Sequence, residues 1–289
     1  MLARTIGVLE TLVTCFAALG QDAAKPANSD AIVSALQSGV ESPRAVPTSR
    51  ENDFSSAGTF IGAFFVQDKI VLLSDGRAAD EDGTKRDDYV KMFKVNRWIG
   101  AIMAGQTLLW TREKILADCD SKGVTSLKDV AQVASARLTT MWNSARASCP
   151  DPKRHAEDRL DFWLVGLNED RQPCAFKLDS RSSPPFHPEE GQPVPPNAPI
   201  WAFVAEAHGI SGEDLSGALD KALQPRLSQS SPLDALYHAF NEVKEELSTR
   251  NSSIGGQTFS AEIDLANGYR GTDSGQNPQV NSPNAPGKP

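Results

Sequence analysis

The run Thr59-Phe60-Ile61-Gly62-Ala63-Phe64-Phe65-Val66, then Gln67-Asp68-Lys69, then Ile70-Val71-Leu72-Leu73, decides how this chain is read. Aromatic and β-branched residues fill both apolar stretches, and the polar residues between them can turn the chain. That is a β-hairpin beginning at Thr59.

Upstream of the hairpin the composition changes abruptly. Residues 21–58 are rich in Ala, Ser, Pro, Asn and charge, with only a weak helical patch at Ile32 to Leu36, and read as a propeptide or linker. Residues 1–20 combine Arg4, an apolar stretch from Ile6 to Leu19 and small residues before Gln21. This is secretory signal-peptide grammar, too short for a stable membrane span, and it implies a periplasmic or secreted protein. The alternative is an amphipathic lead segment of a cytoplasmic proform.

Downstream, Lys91 to Val95 and Trp98 to Ala104 read as a second strand pair, after which Gly105 opens a helical segment to about Ser121. Ser126-x-x-Asp129 caps another helix, with Leu127, Val130, Ala134, Leu138, Met141 and Ala145 on one face. Leu160 to Leu167 and Cys174 to Leu178 form a further hairpin, and a Pro-rich stretch leads to the strand Ile200 to Val204. Ser231 and Pro232 start a third helix with Leu233, Leu236, Phe240, Val243 and Leu247 on one face, and Gln257 to Leu265 is the last strand. This order implies an α+β domain over 59–267, two sheets packed together with helices outside, and a disordered tail over 268–289.

With 289 residues and 39% hydrophobic content the chain can bury one sizeable core. The net charge of -8 is dispersed, and no basic run is interleaved with aromatics, so nucleic acid is not an expected partner. There is no Gly-x-Ser-x-Gly elbow and no His-Glu-x-x-His helix, and His155, His187, His208 and His238 are scattered. Cys119, Cys149 and Cys174 lack the paired spacing of a zinc or redox motif and read as core thiols. No metal and no cofactor is expected.

The stretch from Gly58-Thr59 through Ser74-Asp75-Gly76-Arg77-Ala78, then Lys91 and Ala104-Gly105, resembles the proteasome β-subunits and their bacterial homologues, which are N-terminal-nucleophile hydrolases. Counted from Thr59, Asp75 lies 16 residues on, Arg77 18, Lys91 32 and Gly105 46, the offsets at which that family carries its catalytic Asp, structural Arg, catalytic Lys and oxyanion Gly. A joint match by chance is on the order of one in 100,000 per candidate start at ordinary residue usage, and the chain offers only a few dozen Ser, Thr or Cys starts. Coincidence does not account for it.

The resemblance implies a four-layer αββα sandwich and a threonine-type peptidase or amidase with Thr59 as nucleophile, freed by self-cleavage after Gly58. A Thr hydroxyl is a weak nucleophile until a base takes its proton, and the residue's own α-amine, with a reference pKa near about 8, can be that base. Lys91 beside it would disfavour the protonated amine. Asp75 would hold Lys91, Arg77 would brace the turn, and the Gly105 N–H would stabilise the oxyanion. Gly58 supplies the permissive backbone that cleavage needs.

The resemblance also places Ala78, Tyr89, Phe93, Met103 and Thr107 in a first specificity pocket of apolar preference, although Phe93 and Met103 read equally well as core. It further implies a peptide or amide substrate and a homo-oligomeric ring. Where the family carries Arg-Asp, two residues, then Ser-Gly-Gly after the last long helix, this chain reads Arg250-Asn251-Ser252-Ser253-Ile254-Gly255-Gly256. The glycines match, Asn251 replaces the Asp and Ile254 the Ser, and Ser253 reaches the hydroxyl's place only with a one-residue shift of the loop. Two other readings stay open: a non-catalytic assembly subunit, and an acyl transferase.

Overall fold

The hairpin forms as expected. β1 (Phe60–Val66) and β2 (Lys69–Asp75) pair antiparallel, with Ile61 opposite Ser74 and Val66 opposite Lys69. The computed structural model describes residues 54–55, 59–79, 84–105, 107–108, 111–148, 159–195, 200–207 and 210–272. The leader at 1–20, all of 21–58 except Phe54 and Ser55, Cys149 and the chain beyond Thr272 lie outside them.

The next strands are β3 (Met92–Asn96), β4 (Ile99–Gly105), β5 (Leu160–Leu167), β6 (Pro173–Asp179) and the short β7 (Glu189–Glu190). They form an antiparallel sheet in the order β7-β6-β5-β4-β3. A second antiparallel sheet runs β8-β1-β2-β9-β10, where β8 is Ile200–Ala207, β9 is Thr258–Asp264 and β10 is Gly268–Gly271. Four helices accompany them among the described residues: α1 (Thr111–Lys122), α2 (Leu127–Ser148), α3 (Gly212–Leu227) and α4 (Pro232–Arg250). The protein is α+β.

Three buried clusters follow from strand alternation. Ile61, Ala63, Ile70 and Leu72 of the second sheet meet Met92, Ile102, Trp163 and Val165 of the first. On the other side of the first sheet, Phe93, Met103 and Phe162 pack with Ile115 of α1 and Val130, Leu138 and Trp142 of α2. On the other side of the second, Phe60, Phe64 and Leu73 pack with Leu215 of α3 and Leu236, Phe240 and Val243 of α4.

Three expectations are corrected. Gly105 does not open a helix: it ends β4, and α1 begins at Thr111 after a two-residue pairing of Thr107–Leu108 with Phe54–Ser55. Its φ of +93°, with a hypothetical Cβ only 2.1 Å from the Arg159 carbonyl oxygen, marks a strand end pressed against a neighbouring backbone. The tail does not begin at Gly268, because Gly268–Gly271 pairs with β9, Tyr269 opposite Ile263. Helix α3 is additional to the sequence reading. Its signal was present in Ser211, whose hydroxyl accepts the Asp214 N–H at 3.1 Å as an N-cap, but Gly217 and Pro225 blur its periodicity. No helix among the described residues is long and apolar enough to cross a membrane.

Phe60 and Phe240 stack with ring centres 4.1 Å apart and planes 9° from parallel, locking α4 to the start of β1. Phe240→Ala is expected to cost about 3–5 kcal/mol of stability, the usual range for a buried aromatic truncated in a packed core. Urea unfolding checks it, and a loss below about 1 kcal/mol would mean that α4 is not anchored there.

Candidate functional site

Asp75, the last residue of β2, is fully buried and joins four parts of the chain. Its Oδ1 accepts from Lys91 Nζ at 2.6 Å and from the Phe60 N–H at 2.7 Å. Its Oδ2 accepts from the Gly255 N–H at 3.1 Å and the Arg77 N–H at 3.3 Å. The start of β1, the end of β2, the approach to β3 and the loop after α4 therefore converge on one carboxylate. Because Lys91 and the Phe60 N–H share one oxygen, the ammonium stands beside the Thr59-Phe60 peptide.

Lys91 is held from both ends. Its carbonyl accepts the Met103 N–H at 3.0 Å, and its side chain is only 2% exposed. Thr59, immediately before β1, is also buried. The Gly105 N–H is directed at Thr59 Oγ across a long 3.5 Å contact. Thr59, Asp75, Lys91 and Gly105 are thus brought together. This donor belongs to a strand end, not to a helix N-terminus.

Arg77 braces the turn, as the sequence reading expects, and its partner Asp87 is an addition. The guanidinium grips Asp87 through Nε at 2.5 Å and Nη2 at 3.0 Å, while Nη1 reaches the Ser252 and Ile254 carbonyls, each at 3.3 Å. The loop can lie on this pair only because of its glycines. A Cβ at Gly255 would stand 2.9 Å from the Arg77 guanidinium, and one at Gly256 2.7 Å from the Asp87 carbonyl oxygen. Asp87 was not legible beforehand because its pairing is set by how two loops meet.

The supporting residues behave differently from the family pattern. Ser253 turns its hydroxyl onto Asn251 Oδ1 at 2.5 Å, and Ile254 is fully buried in the cluster beneath α4. The loop's link to Asp75 is the Gly255 N–H. Of the residues expected to line a specificity pocket, Phe93 and Met103 pack beneath α1 and α2, with Phe93 tilted against Phe162 at 6.0 Å. Ala78 is buried and Tyr89 half-buried, while the side chain of Thr107 lies outside the described residues.

Burial pushes Asp75 above the usual carboxylate range, against the opposing pull of Lys91 and the Phe60 and Gly255 N–H groups. Burial likewise holds Lys91 below the usual lysine range, against the pull of Asp75. The two titrate as a pair. A cation of lowered pKa beside a hydroxyl, with an N–H directed at that hydroxyl, can favour a neutral amine nearby and receive developing negative charge. Neither known family models nor curated proteins match this sequence.

Removing Lys91 leaves Asp75 buried without its cation, and Lys91→Met is expected to lose about 3–5 kcal/mol. The deficit should grow with pH. With Lys91 gone, the folded-state pKa of Asp75 rises further above its unfolded value, so the folded variant binds more protons than the unfolded chain and loses stability as pH rises from about 5 to about 8. Urea unfolding of both proteins at the two pH values checks it. An equal deficit at both would show that Asp75 does not depend on Lys91.

Proposed function

We propose that this chain is an N-terminal-threonine hydrolase of proteasome-like architecture that cleaves peptide or amide bonds through an acyl-enzyme on Thr59. The observation that carries the reading is the convergence of Thr59, the Gly105 N–H and the buried Lys91–Asp75 pair. On this reading the three buried clusters are the seams of a four-layer αββα sandwich, with the reacting atoms at one end of the two sheets.

The chemistry begins with maturation. Thr59 Oγ attacks the Gly58 carbonyl, the Gly58-Thr59 amide shifts to an ester, and water releases the upstream segment, leaving Thr59 with a free α-amine. In turnover the α-amine takes the hydroxyl proton as Oγ adds to the substrate carbonyl. The Gly105 N–H stabilises the oxyanion, and collapse expels the leaving amine, which takes the proton from the α-ammonium. Water then hydrolyses the ester. Lys91 acts by its charge, keeping the α-amine neutral, and Asp75 holds Lys91 in place. The antiparallel pairing of Phe54–Ser55 with Thr107–Leu108, two residues past Gly105, suggests how the acyl side of a peptide would lie, by adding a strand to the same edge.

The leader grammar of residues 1–20 makes the working compartment extracytoplasmic on this reading, and like copies would assemble through helix faces. A second reading, a non-catalytic assembly subunit that keeps its upstream segment, draws on Asn251 and Ile254 standing where the family has Asp and Ser.

Intact-mass measurement of the purified full chain, beside Thr59→Ala, separates the two. The hydrolase reading expects a new N-terminus at Thr59 in the unsubstituted protein and none in Thr59→Ala. An unsubstituted protein that folds and retains Gly58 would favour the assembly subunit.

A further inference from the structure

Beside the candidate site lies a cavity of about 170 Å³ that the proposed hydrolysis does not use. It opens where the end of β8 and the start of α3 meet the start of β5. Its walls include Ala104, Ala207 and Leu215 on the apolar side and Arg159, Asp161, Lys177 and Glu206 on the polar side. Ala104 precedes Gly105 in the chain, and Ala207 is the register partner of Phe60, the residue after Thr59.

The polar wall is an unbalanced charge cluster. Arg159 pairs with Asp161 and with Glu206 at 3.8 Å. Lys177 stands 3.7 Å from Asp161, 3.4 Å from Asp179 and 3.5 Å from Glu206. Three carboxylates thus face two cations, which leaves one negative charge without a counterpart among the described residues. The hydrogen-bond inventory points the same way. Asp161 is 2% exposed, and its Oδ1 has no hydrogen-bond partner; Glu206 Oε2, also buried, has none either. These two acceptors stand at the cavity wall beside one unmet donor, Arg159 Nε, which is close to Asp161 Oδ2 without being aligned for a hydrogen bond to it; buried acceptors without donors are costly.

A group that supplies N–H donors and one positive charge, on a stem suited to the alanine and leucine wall, satisfies the two acceptors and balances the cluster's charge. We propose that this cavity is a binding site for an alkylammonium group, such as the end of a lysine side chain, held by Asp161 and Glu206 beside Thr59. The site stands apart from the hydrolase reading, because it is defined by the cavity and its acceptors and not by any reaction at Thr59.

The proposal carries a pH signature. Burial first, then Glu206 and Asp179, push Asp161 up to about 7, against Lys177 and Arg159. Below that pH a proton on Asp161 balances the cluster. Above it the carboxylate is charged, and a cation takes the proton's place. Competition with one proton near pH 7 makes an alkylammonium ion bind about tenfold more tightly at about pH 8 than at about pH 6.

The test is calorimetric titration of the full chain with n-butylammonium chloride at those two pH values, with n-butanol and sodium butyrate as controls. Saturable one-to-one binding of butylammonium alone, about tenfold tighter at the higher pH, is the expected result. Asp161→Asn and Glu206→Gln should each weaken it at least tenfold at the higher pH. His208 follows Ala207 in the chain, so His208→Gln is included and should leave the pH ratio unchanged. No saturable binding, or equal binding of butanol, would mean that water alone satisfies the two acceptors and would overturn the proposal. So would preferential binding of butyrate, or a pH ratio abolished by His208→Gln. If Asp161→Asn fails to fold, the two-pH comparison on the unsubstituted chain and the Glu206→Gln variant decide the matter.

Discussion

The buried ion pair between Lys91 and Asp75 is the constraint on which the candidate site depends. Neither charge could persist alone where it is, since an unpaired buried carboxylate or ammonium costs several kcal/mol. Asp75 meets that demand by collecting Lys91 and three backbone N–H groups from separate segments. The same bonds that satisfy the charge place Thr59, through its neighbour Phe60, next to the ammonium. Electrostatic satisfaction and positional order are one arrangement here.

Around that hub the glycines act where backbones crowd. Gly105 lets β4 end against Arg159 and directs its N–H at Thr59, while Gly255 and Gly256 let the loop after α4 lie on the Arg77–Asp87 pair. The loop contributes to Asp75 through its main chain. Asn251 and Ile254, whatever their side chains, therefore leave this connection intact, and Ile254 adds to the apolar cluster under α4.

Much of this was legible in the sequence, for identifiable reasons. The hairpin from Thr59, the capped helices at Ser126 and Ser231 and the strand read over Gln257 to Leu265, which is β9, are local patterns, and local periodicity survives folding. The spacing of Thr59, Asp75, Lys91 and Gly105 was readable because it resembles a known family. Helix α3 was obscured by Gly217 and Pro225, and β10 by its glycine-rich composition. Asp87 and the cluster of Asp161, Lys177 and Glu206 left no local mark, because their partners come from distant segments. Strand register assembles the cluster, with Asp179 opposite Asp161, while Asp87 depends on how two loops meet.

On the proposed reading Thr59 Oγ is an activated nucleophile. The measurement that addresses it most directly is covalent labelling by a β-lactone, which an activated hydroxyl opens to form an ester, followed by peptide mapping of the modified residue. One acyl group is expected, on Thr59, with labelling that slows by at least about a hundredfold in a folded Lys91→Met protein, in the range by which general-base assistance accelerates such steps. Labelling elsewhere in the chain, none at all, or labelling indifferent to Lys91 would contradict that reading.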